Sequence, residues 1–585
     1  MTRSGLARAA LLVTGVTLAS RLVGFGRWLA QGQWVGNGTF TDAFNAANLL
    51  PNVLFEVAAG GALAGAVVPL VSGPLSRASL AGSAADGSAD GSAADGREQA
   101  SRSASALLGW TLVVLVPVGA LMALLAGPVA AWLDPGNGNP ELGWDPGMRD
   151  VVASFLRVFA VQVPMYGIAV VLGGILQAHK RFFWPAFSPL ISSLVVIGVY
   201  WGYAARLAGA GEQDLARIPA RALDWLAWGI TAGVVALAVP LVLPVLRTGL
   251  RLRPTLRFPG GEGRRAAHLA FAGVGALVAQ QLALVVVMKV GIFLGGYTTW
   301  LYAYNVYLLP YAVLAFPIAT SAFPYLAEHS AAGRLDDLRA LVASTTRMLL
   351  VVTAAGVAAL VAAAPAVESV FDLVVTCDAP GMAAALAWMA PGLVGYALVL
   401  HLSRALYAVD HGRAAVVATA TGWGVMALCL LGVRVWLGSE ARFPGAGPAP
   451  ALVLGALGAA GTAGMAVAGA GLLLAVRRHL GRGALTRVGR TGVALLAGTA
   501  AGAGAGYATG HLLGTPGAWG PAAAGPVSAA CPAGDRPFDP GEFLGALGSG
   551  LLAGAVAAVV VLAVAAAADA SVRDRLRALA ARVRG

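Results

Sequence analysis

The stretch SRLVGFGRWLAQGQWVGNGTFTDAF, residues 20–44, is the most informative part of the chain because it places charge inside an apolar helix. It continues an apolar run that begins near residue 7, so the whole segment predicts a membrane-spanning helix. Arg21 and Arg27 lie deep within that helix, where a charge costs roughly 2.5–3.5 kcal/mol. Snorkelling to an interface is the bland alternative, but neither side chain has an easy route to one. The two guanidinium groups therefore indicate a polar cavity.

The composition is that of a polytopic membrane protein. Of the 585 residues, 58% are hydrophobic and only 11% are charged, whereas soluble domains carry about 25% charged residues. The apolar runs are continuous rather than alternating, which favours α-helices over a β-barrel. We predict an all-α polytopic membrane protein of about 14 transmembrane helices, without a cleavable signal peptide. The predicted spans lie near residues 7–34, 40–73, 104–133, 150–178, 184–206, 223–246, 267–295, 299–326, 338–366, 380–408, 414–436, 450–476, 490–512 and 547–569.

The net charge of +12 follows from where the basic residues lie. Basic clusters occupy residues 247–265, 477–490 and 573–585, all on one side of the predicted spans. This is the positive-inside pattern, so we expect both termini in the cytoplasm and no nucleic-acid partner. The last cluster is a topology anchor that also has the chemistry to contact anionic membrane lipids.

Further polar residues lie within or beside the predicted spans. Asp42 begins the second span, either as a helix cap or first-turn acid, with Thr41 a competing cap, or as a partner of Arg27. Glu56 lies about 21 Å further along that helix, and Pro51 between them predicts a kink. Lys289 is the deep cation of the seventh span. Together these charges predict a hydrated cationic cavity, in which guanidinium groups suit a pyrophosphate.

The three cysteines and the two long loops carry weaker predictions. Cys377 and Cys531 both fall in predicted outer loops, where a disulfide can persist, and we hypothesise that they pair. Cys429 is predicted to be a packing residue of the eleventh span. Neither a CxxC nor an HExxH motif occurs, so no metal site is predicted. Residues 77–103 form a low-complexity cytoplasmic loop, and residues 513–546 form an outer loop rich in Pro and Gly.

Three segments resemble one known family. Residues 20–69 contain, in order, S-R-x-x-G-F-x-R, a glycine-containing turn, T-D-A-F, L-P-N and V-P. GGILQAHKRFFWPAFSPLISSLVVIG at residues 173–198 and YLLPYAVLAFPIATSAFPYLAE at residues 307–328 are similar to two further segments of that family. The chain resembles the MurJ (MviN) family of lipid II flippases. The high Ala, Gly and Arg usage suggests an actinobacterial member.

The resemblance implies a fold of the multidrug, oligosaccharidyl-lipid and polysaccharide exporter superfamily. Two six-helix lobes, residues 1–248 and 249–478, would surround a central cavity, and residues 479–585 would add two C-terminal helices. The implied activity moves undecaprenyl-pyrophosphoryl disaccharide-pentapeptide from the inner to the outer leaflet of the bacterial cytoplasmic membrane, for peptidoglycan synthesis. The family's first-span arginines fall on Arg21 and Arg27, and its second-span aspartate on Asp42.

The chain also departs from the family pattern. Phe55 and Glu56 stand where a basic pair is usual, and Gly60 replaces a glutamate. Tyr304, Asn305 and Leu308 replace charged residues of span eight. Asn305 is the candidate substrate-binding residue of this span, and Lys289 offers partial compensation. The departures keep two alternatives open: a flippase for another polyprenyl-linked glycan, or a non-transporting scaffold for cell-wall synthesis proteins.

Two other classes of protein are disfavoured by the residues themselves. A cation-coupled drug exporter would need an acidic, aromatic cavity, and a polyprenyl-linked glycosyltransferase would need a compact cluster of loop carboxylates. The resemblance implies a transporter rather than an enzyme, working by alternating access without a cofactor. Coupling to membrane potential, Na⁺ or H⁺ is left open, with Glu56 the candidate carrier by chemistry.

Overall fold

A computed structural model gives the architecture of the chain. It describes residues 3–60, 67–68, 70–75, 89–136, 144, 146–207, 215–253, 255–259, 274–375, 379–439, 448–514, 539–569 and 573–574. Within these ranges the regular secondary structure is helical and no strand occurs, as backbone groups in lipid require. The predicted all-α polytopic class is confirmed.

The chain divides into two compact units, Met1–Gln281 and Leu282–Gly585, each described by itself. The helices of the first unit are α1 (Arg3–Trp34), α2 (Thr39–Phe55), α3 (Ala89–Leu124), α4 (Ala126–Leu133), α5 (Pro146–Phe159), α6 (Gln162–Ala178), α7 (Phe183–Ala204) and α8 (Ala220–Leu246). Helix α9 (Val274–Leu294) contains the division. The helices of the second unit are α10 (Tyr297–Pro310), α11 (Phe316–Ala331), α12 (Leu335–Val374), α13 (Met382–Met389), α14 (Gly392–Ala408), α15 (Gly412–Leu437), α16 (Pro450–His479), α17 (Val488–Leu512) and α18 (Pro540–Ala568).

A helix or helix pair lies at each of the predicted spans. Ten helical segments in the described part of the chain are long and apolar enough to cross a membrane. The number rises to eleven when α13 and α14, which meet at a 46° bend, are taken as one span. The count of 14 crossings and the lobe boundaries at residues 248 and 478 therefore stay predictions.

Aromatic packing fixes the start of α2 in the first unit. Phe44 meets Phe155 and Phe159 of α5 edge-on, with ring centroids 5.8 and 6.3 Å apart. Phe40 stacks on Tyr203 of α7 at 6.2 Å. Such pairs are worth about 0.5–1.5 kcal/mol each beyond their buried area. They hold the first turns of α2 in one position against α5 and α7.

Two helices contain a proline near their C-terminal end and continue into a π-helical turn. Helix α2 runs through Pro51 to Phe55 and continues as a π-helical turn, Glu56–Gly60. Helix α10 ends at Pro310 and continues as another π-helical turn, Tyr311–Ala315. Proline removes a backbone donor and crowds the preceding turn, and π-helical turns are frequent at functional sites. The predicted disturbance at Pro51 thus takes the form of a wider turn that begins at Glu56.

Small residues let three helices of the second unit come close together. Helices α17 and α18 pack on each other and on α12. A Cβ atom at Gly502 of α17 would lie 2.6 Å from the carbonyl oxygen of Ala557 in α18. Close backbone approach through small residues is the usual basis of helix association in lipid. At one end of this bundle, Arg347 of α12 lies 3.7 Å from the carboxylate of Asp569, which follows α18.

Each unit contains a buried or half-buried acid whose carboxylate accepts hydrogen bonds from the backbone of a chain segment that follows it. Asp134, after α4, accepts hydrogen bonds from the backbone N–H of Gly136 (3.0 Å) and Trp144 (2.9 Å), and it pairs with Arg149. Glu368 of α12 accepts from the backbone N–H of Gly381 and Ala383, at 2.9 and 2.7 Å. Glu368 thereby supplies acceptors for the first turn of α13, whereas Asp134 holds the segment that leads into α5.

Candidate functional site

Helix α1 carries both predicted cationic residues and packs on α7. Arg21 is exposed, whereas Arg27, six residues further on, is half-buried. A Cβ atom at Gly24 would contact Ser193 of α7 at 3.9 Å, so the two helices lie close between the arginines. The six-residue separation places them about 9 Å apart along the axis and on different sides of the helix. Their burial accordingly differs.

Arg27 lies in an aromatic environment. Its guanidinium carbon is 5.2 Å from the centre of the Trp28 ring, within the range of a cation–π contact. The hydroxyl groups of Tyr166 in α6 and Tyr200 in α7 lie in the neighbourhood of this guanidinium. Tyrosine and tryptophan hold a cation without neutralising it. Arg27 therefore keeps its charge available for an anion.

A buried polar network lies one helical turn beyond Arg27. Gln31 is only 2% exposed, and its amide Nε2 donates to Oδ1 of Asn45 in α2 at 3.0 Å. The hydroxyl of Tyr200 donates to Oε1 of Gln31 at 3.2 Å. One side chain thereby joins α1, α2 and α7. The sequence analysis missed this network, although Gln31 follows Arg27 by four residues and Asn45 follows Asp42 by three, the spacing of neighbours on one helix face.

Asp42 lies in the first turn of α2 and is 5% exposed. The cap residue of α2 is Gly38, which makes no side-chain cap bond, and the Asp42 backbone N–H donates to its carbonyl at 2.8 Å. The prediction of a first-turn acid is therefore confirmed. The competing prediction of Thr41 as the cap is wrong, because its hydroxyl donates to the carbonyl of Val35 at 3.2 Å. The pairing of Asp42 with Arg27 stays a prediction.

Glu56 is the first residue of the π-helical turn after α2 and is half-buried. Among the residues that the structure describes, it has neither an ion-pair nor a hydrogen-bond partner. Neighbouring Phe55 is buried and stacks on Tyr166 at 5.6 Å. The residue before Glu56 thus packs on a tyrosine that lies in the neighbourhood of Arg27. This is the second acid of the first unit that could take part in ion or proton exchange.

Lys289 and Asn305 lie in the second unit, on α9 and α10, and both are half-buried. The amide Nδ2 of Asn305 donates to the carbonyl of Leu301 at 2.8 Å, so part of its hydrogen-bonding capacity is used within its own helix. The four other predicted site residues, Arg21, Arg27, Asp42 and Glu56, lie in the first unit. The convergence of all six on one cavity stays a prediction.

The second unit has an aromatic cluster where the family pattern has charge. Tyr304 stacks on Trp300 at 4.9 Å, and Tyr311 meets Tyr396 of α14 edge-on at 4.8 Å. The hydroxyl groups of Tyr304 and Tyr396 also lie near each other. The cluster lines a cavity of about 30 Å³, room for one or two water molecules. A pyrophosphate or a sugar does not fit there.

Several predictions concern residues outside the described ranges or metal chemistry. Cys377 and Cys531 lie outside the described residues, so their pairing is not tested. Cys429 of α15 is a half-buried free thiol. In the part of the chain that the structure describes, no three His, Cys, Asp or Glu side chains come together as a metal site would require.

Comparison with protein families and curated proteins gives consistent results. The family model described as lipid II flippase MurJ matches residues 32–496. The lipid II flippase MurJ of Burkholderia cenocepacia is 27% identical over 304 residues, 51% of this chain and 52% of the relative. The probable lipid II flippase MurJ of Rhizobium meliloti is 28% identical over 251 residues, 42% of this chain and 41% of the relative. The chain spans about half the length of the curated relatives that it matches.

Solved structures share the fold. A lipid II flippase MurJ in an inward closed conformation aligns with a TM-score of 0.60 and 16% identity, over 94% of this chain and 98% of that one. An inward-facing multidrug resistance MATE family transporter of the MOP superfamily aligns with a TM-score of 0.56 and 14% identity, over 82% and 99% of the two chains. At these identities the likeness concerns the fold alone.

Proposed function

We propose, from the premise that the chain belongs to the lipid II flippase MurJ family, that it moves lipid II from the inner to the outer leaflet of a bacterial cytoplasmic membrane. The family model covers residues 32–496, which include most of both units. The membership confirms the resemblance found in the sequence motifs. The single observation that carries the proposal beyond membership is Arg27, a half-buried cation held by aromatic groups.

Arg21 and Arg27 are proposed to bind the pyrophosphate of the substrate. A guanidinium group stays charged at every physiological pH and makes paired hydrogen bonds to phosphate oxygens. Gln31 fixes α1 against α2 and α7, so it would hold Arg27 in position for that contact. Asp42 is proposed as the group that pairs with Arg27 when no substrate is bound. Lys289 and Asn305 would contribute from the second unit.

Transport is proposed to follow alternating access. The head group would bind while the site is open to the cytoplasm, and the polyprenyl chain would stay in lipid. A conformational shift requires that the substrate bind the two states with different affinity. Moving one charge across the membrane potential is worth about 2.3 kcal/mol per 100 mV, so potential could return the empty cationic site. Na⁺ or H⁺ could act instead through the carboxylate of Glu56, which has no hydrogen-bond or ion-pair partner among the described residues.

The orientation and the partners belong to the same proposal. Basic clusters at residues 247–265, 477–490 and 573–585 support an orientation with both termini in the cytoplasm, by the positive-inside rule. Cell-wall synthesis proteins would receive the flipped substrate at the outer surface. A second candidate, transport of another polyprenyl-linked glycan, is favoured by the uncharged aromatic cluster around Tyr304. Both candidates use the same pyrophosphate contacts and differ in the glycan.

Rescue of a bacterium depleted of its own lipid II flippase tests the proposal. We expect the parent chain to restore growth, and Arg21→Ala and Arg27→Ala to fail at equal membrane expression. Arg102→Ala is the matched control, because Arg102 is an exposed arginine paired with Glu98 on α3. Failure of a well-expressed parent would contradict lipid II transport. Rescue by both arginine variants would remove the pyrophosphate assignment.

A further inference from the structure

A groove of about 630 Å³ lies in the second unit, between the start of α15 and the end of α16. It combines a charged mouth with apolar walls, and none of its residues belongs to the site of Arg21 and Arg27. We propose that this groove binds an anionic phospholipid of the surrounding leaflet, with the phosphate at the mouth and one acyl chain along the groove.

The floor of the groove consists of small side chains. Ala414 and Ala418 of α15 face Gly471 and Ala475 of α16. A Cβ atom at Gly471 would lie 3.1 Å from the Cβ of Ala418, so the two helices are in close contact there. Because nothing larger than a methyl group rises from this floor, the groove is as deep as two touching helices allow.

The walls of the groove are apolar and exposed. Val417 on α15 is 58% exposed and Leu474 on α16 is 55% exposed, and Val467 extends the second wall. Both helices have the length and hydropathy of membrane spans. Exposed apolar side chains on such helices face hydrocarbon. A depression between them fits an acyl chain. A soluble anion such as a nucleotide would leave these apolar walls uncovered.

The mouth of the groove is cationic. Arg413 and Arg478 are both exposed and line it from opposite helices, beside His411 and His479, whose ring centroids are 4.0 Å apart. Asp410 is the one carboxylate among the lining residues. Two guanidinium groups against one carboxylate favour an anion, and a phosphodiester is the anion that guanidinium binds best. Basic pockets between spans on the cytoplasmic side are typical lipid head-group sites.

The occupant is therefore defined by two features that must occur together, a phosphate and a chain. Arg477 and Arg482 provide a matched comparison, because they are exposed cations of the same basic segment that do not line the groove. A diffuse attraction of the basic segment to lipid would depend on all four arginines alike. A built site would depend on Arg413 and Arg478.

Native mass spectrometry of the detergent-purified full chain, titrated with phosphatidylglycerol or phosphatidylcholine, tests the proposal. We expect the Arg413→Gln/Arg478→Gln double variant to bind phosphatidylglycerol roughly twentyfold more weakly, about fivefold for each arginine. Arg477→Gln/Arg482→Gln should stay within about twofold of the parent. Phosphatidylcholine should bind all three proteins equally weakly. Equal losses in the two double variants, or no loss in either, would overturn the proposal.

A second experiment distinguishes a lipid from a free phosphate. We expect Ala414→Leu, which fills the floor and leaves the arginines in place, to weaken phosphatidylglycerol binding about fivefold, since the displaced chain segment loses its apolar contacts. Glycerol phosphate at the same concentration as the lipid should not compete. Competition by glycerol phosphate, or unchanged lipid binding by a folded Ala414→Leu variant, would show that the acyl chain has no place in the groove.

Discussion

The same backbone pattern carries opposite chemistry in the two units. In the first unit, Leu-Leu-Pro at residues 49–51 lies in a helix that continues into a π-helical turn. In the second, Leu-Leu-Pro at residues 308–310 does the same. The side chains around the first include Asp42, Asn45 and Glu56. Those around the second are tyrosines. The two segments share the proline and the π-helical turn, whereas polar and acidic side chains accompany the first and tyrosines the second.

This difference in side chains indicates that the two units have different roles. A half-buried guanidinium and two acids give the first unit the means to bind and release an anion. The aromatic cluster around Tyr304 encloses a cavity of only about 30 Å³. The second unit is therefore tightly packed near its Leu-Leu-Pro segment. The head group would then be recognised mainly from one side. This asymmetry can be tested by moving the chemistry of one unit into the other.

The largest effect is expected when a charge is placed in the aromatic cluster. Tyr304→Glu would bring a carboxylate against the electron-rich faces of Trp300 and Tyr307. An ionised group at this depth costs roughly 2.5–3.5 kcal/mol or more. We expect loss of folded, monodisperse protein after detergent extraction, measured by size-exclusion chromatography. Tyr304→Phe is the control, since it removes only the hydroxyl group. A fully folded Tyr304→Glu protein would contradict the view that this cluster excludes charge.

The next effect concerns the charge that the first unit does contain. Arg27→Ala should weaken binding of lipid II about 10- to 100-fold, the range for losing charge-assisted hydrogen bonds. Arg27→Lys should retain part of the affinity, because the charge remains and the paired geometry is lost. Titration of the purified protein with lipid II measures both. Lys289→Ala in the second unit should cost less than Arg27→Ala, and the reverse order would show that recognition is centred there instead.

A smaller effect follows from the hydrogen-bond networks of the two units. Gln31→Leu would leave Asn45 and Tyr200 without the partner they share, at a cost of about 1–3 kcal/mol for the two bonds. Tyr396→Phe in the second unit removes one hydroxyl group, which lies near that of Tyr304, and should cost no more than about 0.6 kcal/mol. Thermal unfolding in one detergent compares them. An equal loss of stability in the two variants would mean that the polar network of the first unit contributes no more to the stability than the aromatic cluster of the second.

The smallest effect concerns acid stability. Burial alone would raise the pKa of Asp134, but hydrogen bonds from Trp144 and Gly136 and the charge of Arg149 outweigh it and lower the pKa. The carboxylate therefore stabilises the fold above about pH 3.9, the ordinary value of aspartate, and this contribution disappears as the pH falls through the lowered pKa. We expect Asp134→Asn to cost about 1 kcal/mol at pH 7.

The cost of Asp134→Asn should vanish towards the acid end of the profile. Glu368→Gln is the counterpart in the second unit, where the acid accepts hydrogen bonds from the backbone N–H groups of Gly381 and Ala383 and pairs with no arginine among the described residues. Unfolding midpoints measured from pH 7 down to about pH 3 would show the trend. A constant difference between Asp134→Asn and the parent over that range would mean that the ion pair with Arg149 contributes nothing.

The sequence predicted the helical class and the helices that carry the charged residues, because both depend on local composition. Arg27 within α1 and Asp42 in the first turn of α2 are examples. The link from Gln31 to Asn45 and Tyr200 was out of reach, since it joins residues 14 and 169 positions apart. Thr41 was misread as a cap because its hydroxyl reaches backwards to Val35. Hydropathy reveals which segments are buried, but partners depend on packing between helices.

The close packing of α17 and α18 on α12 has a mechanical consequence. A Cβ atom added at Gly506 of α17 would lie 2.5 Å from both the Cβ of Ala362 in α12 and the carbonyl oxygen of Ala553 in α18. The three helices are therefore packed too closely there to slide past one another. The Arg347–Asp569 pair secures one end of the same bundle. A conformational change of the second unit would therefore move α12, α17 and α18 together as one rigid group.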